Sequence, residues 1–215
     1  MKEQEYAALE CQIQGVCRQF FQNGEYVRFE QLCGGHINDT YRVYLREEGE
    51  VRELVLQKVN TYVFKNPVAV MQNIAAVTEY LQTQGDMRAR TALRYFATRG
   101  GAYFVRTPDN GFWRCCSYIA NSVSYERSED LELIEESGKA FGTFGRRLTA
   151  YPVQSLRIVI PHFHNTVRRF EDLRQAENAD EFGRRAEVVR ELMEYYQLQP
   201  LATTPYRLQC AGVLP

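Results

Sequence analysis

The chain has 215 residues, 25% of them charged and 45% hydrophobic, and a formal net charge of −1 from 26 basic and 27 acidic side chains. That content suits a chain with a buried core and excludes a disordered one, which would carry less apolar content and more net charge. The near-neutral balance argues against nucleic acid or an anionic membrane as partner, no apolar run approaches the ~20 residues of a spanning helix, and the first residues lack a signal-peptide core, so a cytoplasmic protein is expected.

Residues 3–22 carry Tyr6, Leu9, Ile13, Val16 and Phe20 at helical spacing, and Asn23-Gly24 ends that helix. A strand over Tyr26–Leu32 runs into Cys33-Gly34-Gly35. The next, Thr40–Leu45, alternates Tyr41, Val43 and Leu45 against Arg42, Tyr44 and Arg46. Glu47-Glu48-Gly49-Glu50 is a polar hairpin turn, and Glu53–Val59 is the third strand, so an antiparallel meander is expected. Asn66-Pro67 opens a helix with proline in its first turn, a buried stripe of Val70, Ile74, Val77 and Leu81, and Gly85 as its end. Residues 91–97 and 102–106 read as strands, Asp109-Asn110-Gly111 as a turn, and Phe112–Ile119 as a further strand. From Leu131 the pattern turns helical, over 131–148, 165–178 and 180–197, with Pro152 and Pro161 in loops. The expectation is an α+β, two-lobed protein, with a β-rich part over 1–119 and a helical part over 120–215.

The six cysteines, Cys11, Cys17, Cys33, Cys115, Cys116 and Cys210, form no C-x-x-C pair and have no histidine at zinc-finger spacing, so free thiols are expected and a zinc site is not.

The segment bearing on chemistry is Leu32-Cys-Gly-Gly-His-Ile-Asn-Asp-Thr-Tyr41. A glycine pair between two strands lets the backbone approach a ligand and adopt positive φ. The N–H groups of such a turn can cradle phosphate oxygens, with Asn38 and Thr40 as additional donors. The alternative is a tight turn whose polar side chains satisfy its own backbone. A Walker loop is excluded, because G-x-x-x-x-G-K-[ST] does not occur and no helix follows.

Gly34-Gly-His-Ile-Asn-Asp-Thr-Tyr-Arg-Val43, Leu54-Val-Leu-Gln-Lys-Val-Asn60, Val63-Phe-Lys-Asn-Pro67 and Met71-Gln-Asn-Ile74, together with Ala140-Phe-Gly-Thr-Phe144 and Ile160-Pro-His-Phe-His-Asn-Thr166, resemble the aminoglycoside phosphotransferase family and its N-acetylhexosamine kinase branch. The resemblance runs from about residue 26 to 175 and implies a kinase-like fold. It also implies transfer of the γ-phosphate of ATP, with magnesium, to a small hydroxyl compound, here the anomeric hydroxyl of an N-acetylhexosamine. It places nucleotide contacts at Gly34, Gly35, His36, Asn38 and Thr40, at Gln57 or Lys58 on the third strand, and at a hinge of Tyr118 and Ile119. It places the acceptor sugar near His162 and His164, for which a purely structural loop role is the alternative.

The family's catalytic loop has the form His-x-Asp-x(4)-Asn, and a second Asp beyond it holds the metal. None of His36, His162 and His164 begins a His-x-Asp. The resemblance therefore implies that Tyr206–Pro215 leads toward a catalytic loop lying past the last residue. No catalytic residue or magnesium ligand is expected in this chain, which by itself should be inactive. A truncated pseudokinase serving as a nucleotide-binding or interaction module is the alternative. Matching Leu-x-Leu-x puts Gln57 at the usual cation position, with a contact to Gln72 or Asn73 replacing the ion pair, or with Lys58 reaching the phosphates instead; Glu79 lies two turns further on. Phe141, Phe144 and Leu148 are expected in a core, as is Trp113 rather than in an adenine pocket. Tyr195 and Tyr196 are expected to pack, while Arg146, Arg147, Arg168 and Arg169 are expected on solvated faces. An incomplete helical lobe would expose apolar surface and favour self-association.

Overall fold

Ile13, Val16, Cys17 and Phe20 share one face of the first helix, α1 (Glu3–Phe20), and all four are buried. They pack on a five-stranded antiparallel sheet. The computed structural model that shows this describes residues 3–83, 93–125 and 127–211. The strands are β1 (Glu25–Leu32), β2 (Asp39–Glu47), β3 (Glu50–Lys58), β4 (Val105–Arg106) and β5 (Phe112–Ser117), in the spatial order β1-β2-β3-β5-β4. A second helix, α2 (Pro67–Thr83), lies between β3 and β4 in the chain. Asn66 caps it, its Oδ1 accepting from Ala69 N at 3.0 Å. Among the described residues no helix is long and apolar enough to cross a membrane.

Period-two alternation sorts the sheet into two faces. Tyr41, Val43 and Leu45 of β2, Leu54 and Leu56 of β3, and Trp113 and Cys115 of β5 meet α1 in one core. Each fully buried aliphatic side chain there contributes about 1.5–3 kcal/mol. Phe112 points the other way and packs with Val59 and Met71, flanked by Phe64, Val68, Ile74 and Phe104. The β2–β3 hairpin turns through Glu48 (φ 52°) and Gly49 (φ 86°), the pair of positive angles that matches strand twist in a two-residue loop. Asn110 (φ 60°) turns the chain into β5, its N–H donating to Thr107 O at 3.0 Å.

The chain divides into two compact units, Met1–Val159 and Ile160–Pro215. The first also contains α3 (Leu131–Arg147), capped by Asp130, whose carboxylate accepts from Glu132 N and Leu133 N. The second holds α4 (Thr166–Ala179), capped by Asn165, then α5 (Val189–Gln197) and α6 (Gln199–Cys210). Tyr196 donates its hydroxyl to Glu177, tying α5 to α4.

Several local expectations are corrected. Over 93–97 there is an isolated bridge, Tyr95 to Cys116, in place of a strand, and the expected strand at 102–106 shortens to Val105–Arg106. Residues 91–92 and Gly85 lie outside the described residues. The stripe of α2 is rotated. Ala69, Met71, Ala75 and Leu81 are buried, while Val70, Ile74 and Val77 are half-buried. Ile74, Val77 and Leu81 line a groove of about 430 Å³ with Leu93, Tyr95, Phe144 and Leu156. Helix over 180–197 is interrupted: Asp180 (φ 39°) closes α4, and Gly183 (φ 65°) turns the chain before α5. The helix α6 lies beyond the last expected helix, which ends at 197, and it carries Pro205 inside it.

Phe141, Phe144 and Leu148 do not form a core. No residue of α3 is buried, and Phe141 is 78% exposed. Amphipathic spacing shows that a helix has an apolar side, not that anything covers it. Phe141→Ala should therefore change stability by less than about 0.5 kcal/mol, as for an ordinary surface position. A urea midpoint displaced like that of a core truncation would contradict this placement.

Candidate nucleotide site

Leu32 and Thr40 form the last pair between β1 and β2, and residues 33–39 link them. Gly34 has φ 110°, and a Cβ built on it meets nothing within 4 Å. At Gly35 the nearest atom to such a Cβ is Asn38 O, 4.0 Å away. Gly34, Gly35, His36 and Ile37 are exposed. Among the described residues, the backbone N–H groups of 34–38 donate to no other group of the chain. The turn is instead held by side chains at its far end. Asn38 Oδ1 accepts from Asn60 N at 2.9 Å, and Asn60 Oδ1 accepts from Tyr62 N at 2.9 Å. Asn38 thus anchors the turn to the chain leaving β3, and among the described residues its own amide NH2 donates to no group.

A polar row starts beside this turn. Register pairs Thr40 with Gln57 and Gln57 with Arg114, on one face of three adjacent strands. Gln57 Nε2 donates to Thr40 Oγ1 at 3.0 Å, and Arg114 Nε donates to Gln57 Oε1 at 2.9 Å. The two bonds fix which way the amide points. The Arg114 guanidinium lies 5.6 Å over the Tyr95 ring. Toward the other end of this face Arg42 pairs with Glu53 at 2.7 Å and lies 4.1 Å over the Tyr118 ring. Between the polar groups stand half-buried Val55 and buried Cys116, whose thiol burial pushes up to about 11.

Lys58 belongs to the opposite face. Its ammonium lies 5.7 Å over the Trp113 ring and 3.1 Å from Asp109 Oδ2, while Gln12 of α1 donates to Asp109 Oδ1 at 2.9 Å. The Thr107 hydroxyl, the Gln12 amide and the Lys58 ammonium together hold the Asp109 carboxyl well below the ordinary carboxylate range. Gln57, rather than Lys58, therefore shares a face with Thr40. The expected contact from Gln57 to Gln72 or Asn73 is corrected. Asn73 instead bonds the backbone of Arg157, donating to its carbonyl at 2.8 Å and accepting from its N–H at 2.9 Å. Glu79 is likewise engaged, accepting from the Tyr103 hydroxyl at 2.7 Å. The β3 amide finds its partners across strands because neighbouring strands are closer than the helix.

Tyr118 and Ile119 follow β5, both half-buried, and Ile119 O accepts from Ser122 Oγ at 2.7 Å. His162 (φ 58°) and His164 lie exposed in the second unit, in the loop before α4, with the Phe163 ring 4.7 Å from that of His164. A separate apolar groove of about 510 Å³ in that unit is lined by Phe170, Leu173, Val188, Leu192 and Tyr195. Among the described residues no three His, Cys, Asp or Glu side chains stand together as a metal site.

Arg114 is the site residue that sequence reasoning missed. Alternation along Phe112–Ser117 puts residues 112, 114 and 116 on one face, but the register setting 114 beside Gln57 is a property of the folded sheet. No family model matches the chain.

Proposed function

We propose that the first unit binds the triphosphate of ATP at the turn of residues 34–38. It would act as the nucleotide lobe of a two-lobed, kinase-like phosphotransferase of the aminoglycoside phosphotransferase type. The carrying observation is the exposed glycine turn with unengaged backbone N–H donors at the end of a sheet. Such donors suit phosphate oxygens, for which they form charge-assisted hydrogen bonds. The strand order β1-β2-β3-β5-β4 with a helix between β3 and β4 is also consistent with the nucleotide lobe of a kinase-like fold. Val55 would offer the apolar surface for a purine, and the backbone after β5 the hydrogen bonds for its edge. The acceptor by resemblance is an N-acetylhexosamine.

Phosphoryl transfer rests on positioning and on neutralising charge, and it needs a base and metal ligands that are not assigned to any residue of this chain. The 215 residues contain no His-x-Asp, which favours a second reading, binding of nucleotide without transfer. Isothermal titration of the 215-residue chain should show ATP binding that is tighter than adenosine binding. A coupled assay with N-acetylglucosamine should show no ADP release. Failure to bind millimolar ATP would remove the proposal, and turnover by this chain would remove the second reading.

A further inference from the structure

We propose that Arg114 supplies the positive charge facing the bound triphosphate, the part the resemblance would give to a cation on β3. This rests on the nucleotide reading above and deepens it.

A triphosphate brings several negative charges, and a turn of backbone N–H groups offsets them only partly. A nearby cation on the same sheet face is needed. Lys58 fails twice, because it projects to the α1 side and is already paired with Asp109. Gln57 is on the right face but carries no charge. The strand arginines of that face in β1 and β2 are each spent on a glutamate: Arg28 on Glu30, Arg42 on Glu53, Arg46 on Glu25. Arg114 pairs with no carboxylate among the described residues; its Nε meets the neutral Gln57, and its plane rests on Tyr95.

The Gln57 bond uses one of the five guanidinium N–H groups and leaves the paired terminal nitrogens to face an anion, the geometry that suits phosphate. Two strand spacings of about 4.8 Å separate the Arg114 backbone from Thr40, a span a long side chain leaning along the row can shorten. Gln57 then serves as the spacer. It holds Arg114 on one side and Thr40 on the other, so the cation and the end of the glycine turn are aligned by one amide. Lys65, placed over the Tyr62 ring in the loop before α2, is one control. Arg106 of β4, which register sets opposite Phe112 and which lies 5.5 Å over that ring, is the second, and an ATP-specific loss in Arg106→Ala with Arg114→Met unaffected would overturn the assignment.

The experiment measures ATP and adenosine binding to the 215-residue chain by isothermal titration, with melting followed by circular dichroism. Arg114→Met should weaken ATP about tenfold or more, the loss expected for a charged hydrogen-bonding partner, and leave adenosine binding unchanged. Arg114→Lys should fall between the two, having the charge but not the planar fork. Adding Gln57→Lys to Arg114→Met should restore part of the ATP affinity by returning a cation to the row. Where the methionine variant does not fold, Arg114→Gln keeps a donor for Gln57 and carries the same expectation. Unchanged ATP affinity in a folded Arg114 variant would overturn the inference while leaving the nucleotide reading standing. Equal loss of ATP and adenosine, or an ATP-specific loss in Lys65→Ala alone, would overturn it as well. A wild-type chain that binds no ATP would bring down both.

Discussion

Trp113→Ala is expected to cost about 3–5 kcal/mol, the range for deleting a buried large aromatic side chain. Trp113 is fully buried, stands between α1 and the sheet, and packs its ring 5.9 Å from that of Tyr41. It is also enclosed from the turn before it, since a Cβ on Gly111 would sit 2.9 Å from Trp113 Nε1. The indole N–H is buried with no hydrogen-bond partner among the described residues. A donor left unmade contributes nothing to hold the tryptophan there, so Trp113→Phe should cost far less than the alanine variant. Because Trp113 is the chain's single tryptophan, urea unfolding has to be followed by far-UV circular dichroism rather than indole fluorescence. Equal losses for phenylalanine and alanine would mean that a polar contact of the indole, not its volume, stabilises the core.

The second large effect is expected at the glycine turn. Gly34 has φ 110°, where a side chain is strained even though space is open around it. Gly34→Val should destabilise by about 1–2 kcal/mol through backbone strain alone. It should also reduce ATP affinity about tenfold or more, because re-forming the turn withdraws N–H donors whose bonds to a charged acceptor are worth roughly 1.5–3 kcal/mol each. Gly35→Ala is the comparison. Gly35 lacks positive φ and has room for a methyl group, so stability should hold or rise by about 0.4–1 kcal/mol. A folded Gly34→Val chain with wild-type ATP affinity would show that the triphosphate is held elsewhere.

The readability of this chain divides along a physical line. Its local elements were legible wherever one residue's neighbours in sequence decide its state. The Glu48-Gly49 and Asp109-Asn110-Gly111 turns follow from which residues tolerate positive φ. The alternation Tyr41, Val43, Leu45 follows from the pleat, and Pro67 opens α2 because the first turn needs no N–H from it. At 102–106 the pattern predicts a longer strand than the Val105–Arg106 pair that forms, because β-propensity says nothing of whether a partner extends that far.

The site was legible at its turn and not across its sheet. Gly34, Asn38 and Thr40 are close in sequence, and their spacing marks a turn between two strands, with phosphate binding and a self-satisfied tight turn both open. Composition and periodicity determined two regions, a meander and a helical part, and placed a glycine pair between the first two strands; the ligand role expected of that turn came from the family resemblance. Tertiary structure decided the rest: that Lys58 faces α1 and Asp109, that Gln57 joins Thr40 to Arg114 across residues far apart in the chain, and that the apolar side of α3 lies open. Side-chain period is a local property of backbone geometry, whereas which strand lies beside which, and in what register, is set by long-range packing that no single segment encodes.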